Sequence, residues 1–112
     1  MRVLGIDPGY ALLGYGVIDK EGTSNKTVDY GVIETFKGVP FPERLDVLYK
    51  GMQALIERFR PDVVVFEELF FCKNTTTAIA VGSGRGVALL AAQQANLPLY
   101  EYTPMQIKQA VT

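Results

Sequence analysis

Arg2-Val3-Leu4-Gly5-Ile6-Asp7-Pro8-Gly9-Tyr10 is an apolar run that ends in one carboxylate and is broken at once by proline and glycine. Val3, Leu4 and Ile6 are the aliphatic and β-branched residues of a strand covered on both faces. A carboxylate at the tip of such a strand is costly unless a bound cation or a hydrogen-bond donor neutralises it, and Asp7 stands there. Pro8 cannot donate to a ladder and Gly9 permits a sharp turn, so the chain is expected to leave the sheet just after the acid. Asp7 then sits at a sheet rim with two jobs open to it: gripping a ligand, or capping its own Pro-Gly turn.

Outward from that strand, residues 12–19 have the apolar and aromatic content of a second strand, and Lys20-Glu21-Gly22 turns. A third strand is expected over residues 27–36, with Val28, Tyr30, Val32 and Glu34 on one face and Asp29, Gly31 and Ile33 on the other. Short polar connections make these three an antiparallel meander, since parallel neighbours need a long crossover. The period then changes. Leu45, Leu48, Tyr49, Met52, Leu55, Ile56 and Phe59 recur at three- and four-residue steps, predicting an amphipathic helix over residues 42–60 that Pro42 opens and Pro61 ends.

Asp62-Val63-Val64-Val65-Phe66 reads as a fourth strand, apolar throughout and so central and parallel to the first. It runs into Glu67-Glu68, a second delivery of carboxylate to the carboxyl rim where ligands of open α/β sheets gather. Residues 77–96 are alanine, glycine and aliphatics, the composition of a helix buried on much of its surface. Residues 98–102 form a fifth strand, and Thr103-Pro104 opens a last helix that has barely begun at Thr112.

With 112 residues the chain is one domain, 1–112, large enough for a core but small for an α/β enzyme. Hydrophobic residues at 48% and charged ones at 21% are globular proportions, and no stretch is long and apolar enough to cross a membrane. No secretory signal is visible, so a cytoplasmic location is expected. Without histidine and with Cys72 as the one cysteine, an internal disulfide, a Ser-His-Asp triad and a usual zinc site are all ruled out. A net charge of -1 argues mildly against a non-specific nucleic-acid surface, leaving room for a local basic patch.

The chemistry legible in the residues is that of paired acids. Asp7 and Glu67, at the ends of adjacent parallel strands, repel unless a divalent cation sits between them, and oxygen-only ligation favours Mg²⁺, with Mn²⁺ able to substitute. Two such ions about 3.5–4 Å apart clamp the attacking and leaving oxygens of a phosphodiester without any histidine. Strand alternation sends one of Glu67 and Glu68 the way of Asp7 and the other to the opposite face. Solvated strand-end charge is the alternative for both. Gly82-Ser83-Gly84-Arg85-Gly86 follows a helix start rather than a strand, so it reads as a packing or subunit interface rather than a phosphate loop. Phe70 and Phe71 are core residues or platforms for an unpaired base. Lys73, Arg85 and Lys108 read as single solvated cations, and Cys72 as a small packed hydrophobe.

With these residues in hand, the chain resembles the RuvC-type Holliday junction resolvases, endonucleases of the ribonuclease H-like fold. The likeness runs through Leu4-Gly5-Ile6-Asp7-Pro8-Gly9, Gly14-Tyr15-Gly16-Val17-Ile18, Pro42-Glu43-Arg44-Leu45, Pro61-Asp62 to Glu67, Phe70, Lys73-Asn74, Ala80-Val81-Gly82, Arg85-Gly86-Val87-Ala88, Tyr102-Thr103-Pro104 and Ile107-Lys108-Gln109. It implies an α/β domain with a mixed five-stranded sheet, strands 1–3 a meander and strands 4 and 5 parallel to strand 1, flanked by helices. It implies that Asp7 and Glu67 are catalytic, metal-binding carboxylates, with Glu68 outside the motif. Phe70 then works near unstacked bases, Lys108 near the scissile phosphate, and Lys73 on the DNA. The family acts as a homodimer, which Gly82 and Gly86 suit, nicks a four-way junction symmetrically, and works with a branch-migration helicase complex. Resolvases of this kind supply two further aspartates from a C-terminal helix preceded by a basic segment, so this chain is expected to be C-terminally truncated, lacking the last helix, and weak or inactive by itself. Two other functions fit parts of the pattern: an actin-like ATPase or phosphotransferase lobe, whose Gly-Ile-Asp turn is similar, and a non-catalytic junction-binding or dimerisation module.

Overall fold

In this computed structural model the structure describes residues 1–9, 12–36, 38–67 and 75–102, the side chains of 75–78 and 102 excepted. The elements run β1 (Arg2–Gly9), β2 (Leu12–Glu21), β3 (Ser24–Glu34), α1 (Phe41–Phe59), β4 (Val63–Glu67), α2 (Thr75–Gln94) and β5 (Leu99–Tyr102). The helix expected from Thr103-Pro104 lies outside the described residues.

Five strands form one sheet in the order β3-β2-β1-β4-β5. The first three are an antiparallel meander, and β4 and β5 run parallel to β1, as expected. The hairpin turns on Gly22, whose φ of 60° a side chain would disfavour. Each parallel neighbour is reached by a crossover through a helix, α1 before β4 and α2 before β5.

Both helices lie against one face of the sheet. Leu4, Ile6, Leu13, Val17, Val64 and Phe66 point from the strands into a core shared with Leu48, Met52, Leu55 and Phe59 of α1 and Ala88, Ala91 and Ala92 of α2. Pro42 stands in the first turn of α1, and Arg60 ends the helix in the left-handed region, its N–H donating to Ile56 O.

Two sequence expectations are corrected. β1 does not leave the sheet after Asp7, because Pro8 and Gly9 stay in register with Leu13 and Leu12 of β2. Among the described residues the parallel register with β4 ends at Ile6–Phe66, so no β4 ladder there calls on the N–H that Pro8 lacks. In β3 strict alternation fails at Val28. A bulge pairs Val17 with Asp29 and Ile18 with Thr27, leaving Val28 as the extra residue, packed on the core away from exposed Tyr30 and Val32.

The candidate active site

The two ends of β1 treat their acids differently. At the amino end Arg2 donates from Nε and Nη2 to the Asp19 carboxylate at 2.7 and 2.9 Å and from Nη1 to Phe59 O, while the Arg2 backbone N–H donates to Asp62 Oδ2. That pairing holds the Asp19 carboxyl below the usual carboxylate range. These acids are structural staples joining β1, β2 and the end of α1.

At the carboxyl end the acids have only each other among the described residues. β1 and β4 are parallel and in register through Ile6–Phe66, so the next residues, Asp7 and Glu67, lie side by side at the rim. Register selects Glu67 as the partner of Asp7. Glu68 lies outside the described residues. Asp7 is exposed and Glu67 half-buried, and no ion pair joins either to a cation among the described residues. Burial, the Asp7 charge and a hydrogen bond shared with Asp7 push the Glu67 carboxyl above the usual carboxylate range.

Opposite the helices the sheet carries a groove of about 810 Å³, lined among others by Val3, Gly5, Gly14, Gly16, Tyr30, Val65 and both acids. Gly14 pairs with Asp7, and a Cβ at Gly14 would stand 3.6 Å from Asp7 O and 3.8 Å from Asp7 Cβ. Its missing side chain keeps the flank of the acid open to a backbone or a phosphate.

Two hydrogen-bonded carboxyl groups, without a neighbouring cation among the described residues and open on one side, suit a hard divalent cation. Such ions take one or two protein carboxylates together with water and phosphate oxygens. No third histidine, cysteine, aspartate or glutamate joins them among the described residues.

The raised Glu67 carboxyl has a consequence for stability. A carboxyl whose pKa is higher folded than unfolded favours the fold below its unfolded value, and that advantage is lost as pH rises through the folded value. Glu67→Gln, which cannot ionise, is therefore expected to melt higher than the parent at pH 7 in EDTA, the gap closing as pH falls through the raised folded value toward the ordinary 4.5. Thermal melts across that range check it.

The remaining site expectations divide by position. Gly82 and Gly86 lie on α2, where a Cβ at either would meet nothing within 4 Å, and exposed Ile79 and Leu90 stand on the same helix. Phe70, Lys73 and Lys108 lie outside the described residues. Arg85 is corrected: it is no solvated cation but pairs with Glu101 beneath the sheet, its side chain 17% exposed. Periodicity missed it because α2 is nearly uniform in hydrophobicity around its circumference, so no polar stripe marks its outer face.

A model of the family described as "Crossover junction endodeoxyribonuclease RuvC" matches residues 3–112. The chain belongs to the RuvC family. A crossover junction endodeoxyribonuclease RuvC from Brevibacillus brevis is 57% identical over 112 residues, which is all of this chain and 68% of that relative. The structure of T. thermophilus RuvC in complex with Holliday junction substrate superposes with a TM-score of 0.90 at 39% identity, covering 98% of this chain and 70% of that one. A more distant likeness, to the yeast mitochondrial Holliday junction resolvase Ydc2 at a TM-score of 0.67 and 20% identity over 92% of this chain and 53% of that one, shows the fold alone. Family membership does not favour the actin-like reading. Among the described residues no helix is long and apolar enough to cross a membrane.

Proposed function

We propose that this chain carries the nuclease domain of a Holliday junction resolvase, spanning residues 1–112, which cuts opposing strands of a four-way DNA junction by metal-dependent phosphodiester hydrolysis. The observation that carries the reading is the pairing of Asp7 with Glu67 at the sheet rim, unneutralised among the described residues, while at the other end of β1 Asp19 is ion-paired with Arg2 and Asp62 accepts the Arg2 backbone N–H. Asp7 and Glu67 would hold the cation, Mg²⁺ with Mn²⁺ able to substitute. When bound, such a cation polarises the phosphodiester and makes its own water a better nucleophile. Glu67, at the end of β4, holds one oxygen donor, and exposed Asp7 presents another toward the groove. Gly14 leaves room beside it for the DNA backbone.

Phe70 is assigned to an opened base, Lys73 to the DNA and Lys108 to the scissile phosphate. The outer face of α2 at Gly82 and Gly86, with Ile79 and Leu90 beside them, is assigned to pairing with a second copy. A closed two-fold dimer matches a two-fold substrate and places one acid pair on each of two opposing strands. The protein would act in the cytoplasm beside a branch-migration helicase complex.

The test is cleavage of a synthetic four-way junction, against a linear duplex of the same sequence, by a full-length relative that carries these residues. Symmetric nicks in the junction that require Mg²⁺ or Mn²⁺, with the duplex intact, are the expected result. Equal cutting of both substrates, or cutting that survives EDTA, overturns the reading. Junction binding without any cutting would favour the non-catalytic module instead.

A further inference from the structure

Arg85 stands near the middle of α2, under the tip of β4. Its Cζ lies 5.9 Å from the centroid of the Phe66 ring, at the outer reach of a cation–π contact, and Nη2 pairs with Glu101 Oε1. Glu101 is the β5 residue in register with Phe66. One guanidinium thus ties a helix to the Phe66–Glu101 rung of the parallel sheet, one residue before Glu67.

The arrangement is expensive as packing alone. Nε of Arg85 is buried with no hydrogen-bond partner among the described residues. A methionine or leucine would fill comparable volume without desolvating a charge, and such replacements are often neutral or stabilising. The gain from the arginine lies in geometry. β4 has five residues and β5 four, and both end at this rim, so few ladder bonds hold Glu67 there. Clamping Phe66 and Glu101 from below fixes the backbone on which Glu67 is mounted.

We propose that Arg85 is a positioning residue for Glu67: by bridging Phe66 and Glu101 it sets the carboxylate at the separation from Asp7 that a divalent cation requires. The inference rests on the reading of Asp7 and Glu67 as the pair that holds metal. Groups that orient a metal ligand from behind typically change metal affinity or activity by about 10–100-fold when removed.

The test uses Mn²⁺ binding by electron paramagnetic resonance, with nicking and thermal melts alongside. Arg85→Met is expected to weaken Mn²⁺ binding about 10–100-fold and to raise the Mn²⁺ needed for half-maximal nicking in parallel, while the metal-free melting temperature holds or rises. Arg85→Lys, which keeps the charge and one bond to Glu101, should fall between parent and methionine. Glu101→Gln, at a half-exposed position that the fold tolerates, should weaken Mn²⁺ binding in the same direction and tests the clamp even where Arg85→Met does not fold. Unchanged Mn²⁺ affinity in both Arg85→Met and Glu101→Gln, with Glu67→Gln losing it, overturns the role of Arg85 alone. If Glu67→Gln binds Mn²⁺ like the parent, the underlying metal site falls and this inference with it.

Discussion

Asp7→Asn is expected to slow nicking of a four-way junction by about a thousandfold when made in the full-length relative, measured as a single-turnover rate at saturating Mn²⁺. A cation polarising a phosphoryl oxygen supplies several kcal/mol of transition-state stabilisation, and about 4 kcal/mol corresponds to three decades of rate. The amide keeps the size and shape of the carboxylate but not its charge. Because Asp7 is exposed and sits outside the core, the variant should fold as the parent does. It should even lose some internal repulsion, since the Asp7 charge is one of the causes that push the Glu67 carboxyl up. Junction binding without metal should change little. A nicking rate within about threefold of the parent, a loss of only ~0.6 kcal/mol, would remove Asp7 from the machinery.

Phe66→Ala is the second large effect, and it falls on stability. Phe66 is fully buried at the centre of the helix-covered face, on the strand that carries Glu67. Truncating a core phenylalanine costs about 3–5 kcal/mol through lost transfer energy and the cavity left behind. A domain of this size has about 5–15 kcal/mol in all, so the variant should sit near its folding threshold at 37 °C. Urea denaturation should show a lower midpoint with an unchanged slope. Phe66→Leu, closer in volume, should cost less than half as much. A loss below about 1 kcal/mol for alanine would mean that α2 closes over the gap, and would place the core's weight elsewhere.

The two variants separate the two jobs that β1 and β4 share. Each strand alternates residues between groove and core, so groove-facing Asp7 on β1 and core-facing Phe66 on β4 fail in different ways. Rate should collapse with stability intact at Asp7. At Phe66 the fold should weaken first, with activity following the folded fraction.

Much of this was legible without coordinates because it is local. The 3.6-residue period of Leu48, Met52, Leu55 and Phe59 declares α1, and its ends are written in Pro42 and Pro61. Short polar turns force the first three strands into a meander, and the uninterrupted apolar run at Val63 to Phe66 declares an interior parallel strand. Asp7 and Glu67 announced themselves as charges at the ends of such strands. Boundaries moved by two or three residues, as at β3, which begins at Ser24 rather than residue 27, because hairpin pairing extends past the last apolar residue.

What only the tertiary structure decided is register and neighbourhood. Whether Glu67 or Glu68 meets Asp7 depends on Ile6 facing Phe66, a pairing between strands some sixty residues apart that no local preference encodes. The bulge that turns Val28 into the core is a property of two strands together. That Arg2 absorbs Asp19 and Asp62 while nothing comparable reaches Asp7 and Glu67 among the described residues is likewise a fact of packing. So is the burial of Arg85, whose charge reads as surface until β5 brings Glu101 beneath the sheet. Sequence determines which segments are strands and helices, since backbone preference and hydrophobic period act over a few residues. The value of a charge is set by what long-range folding places beside it, because solvation and Coulomb energy depend on distance in space rather than along the chain.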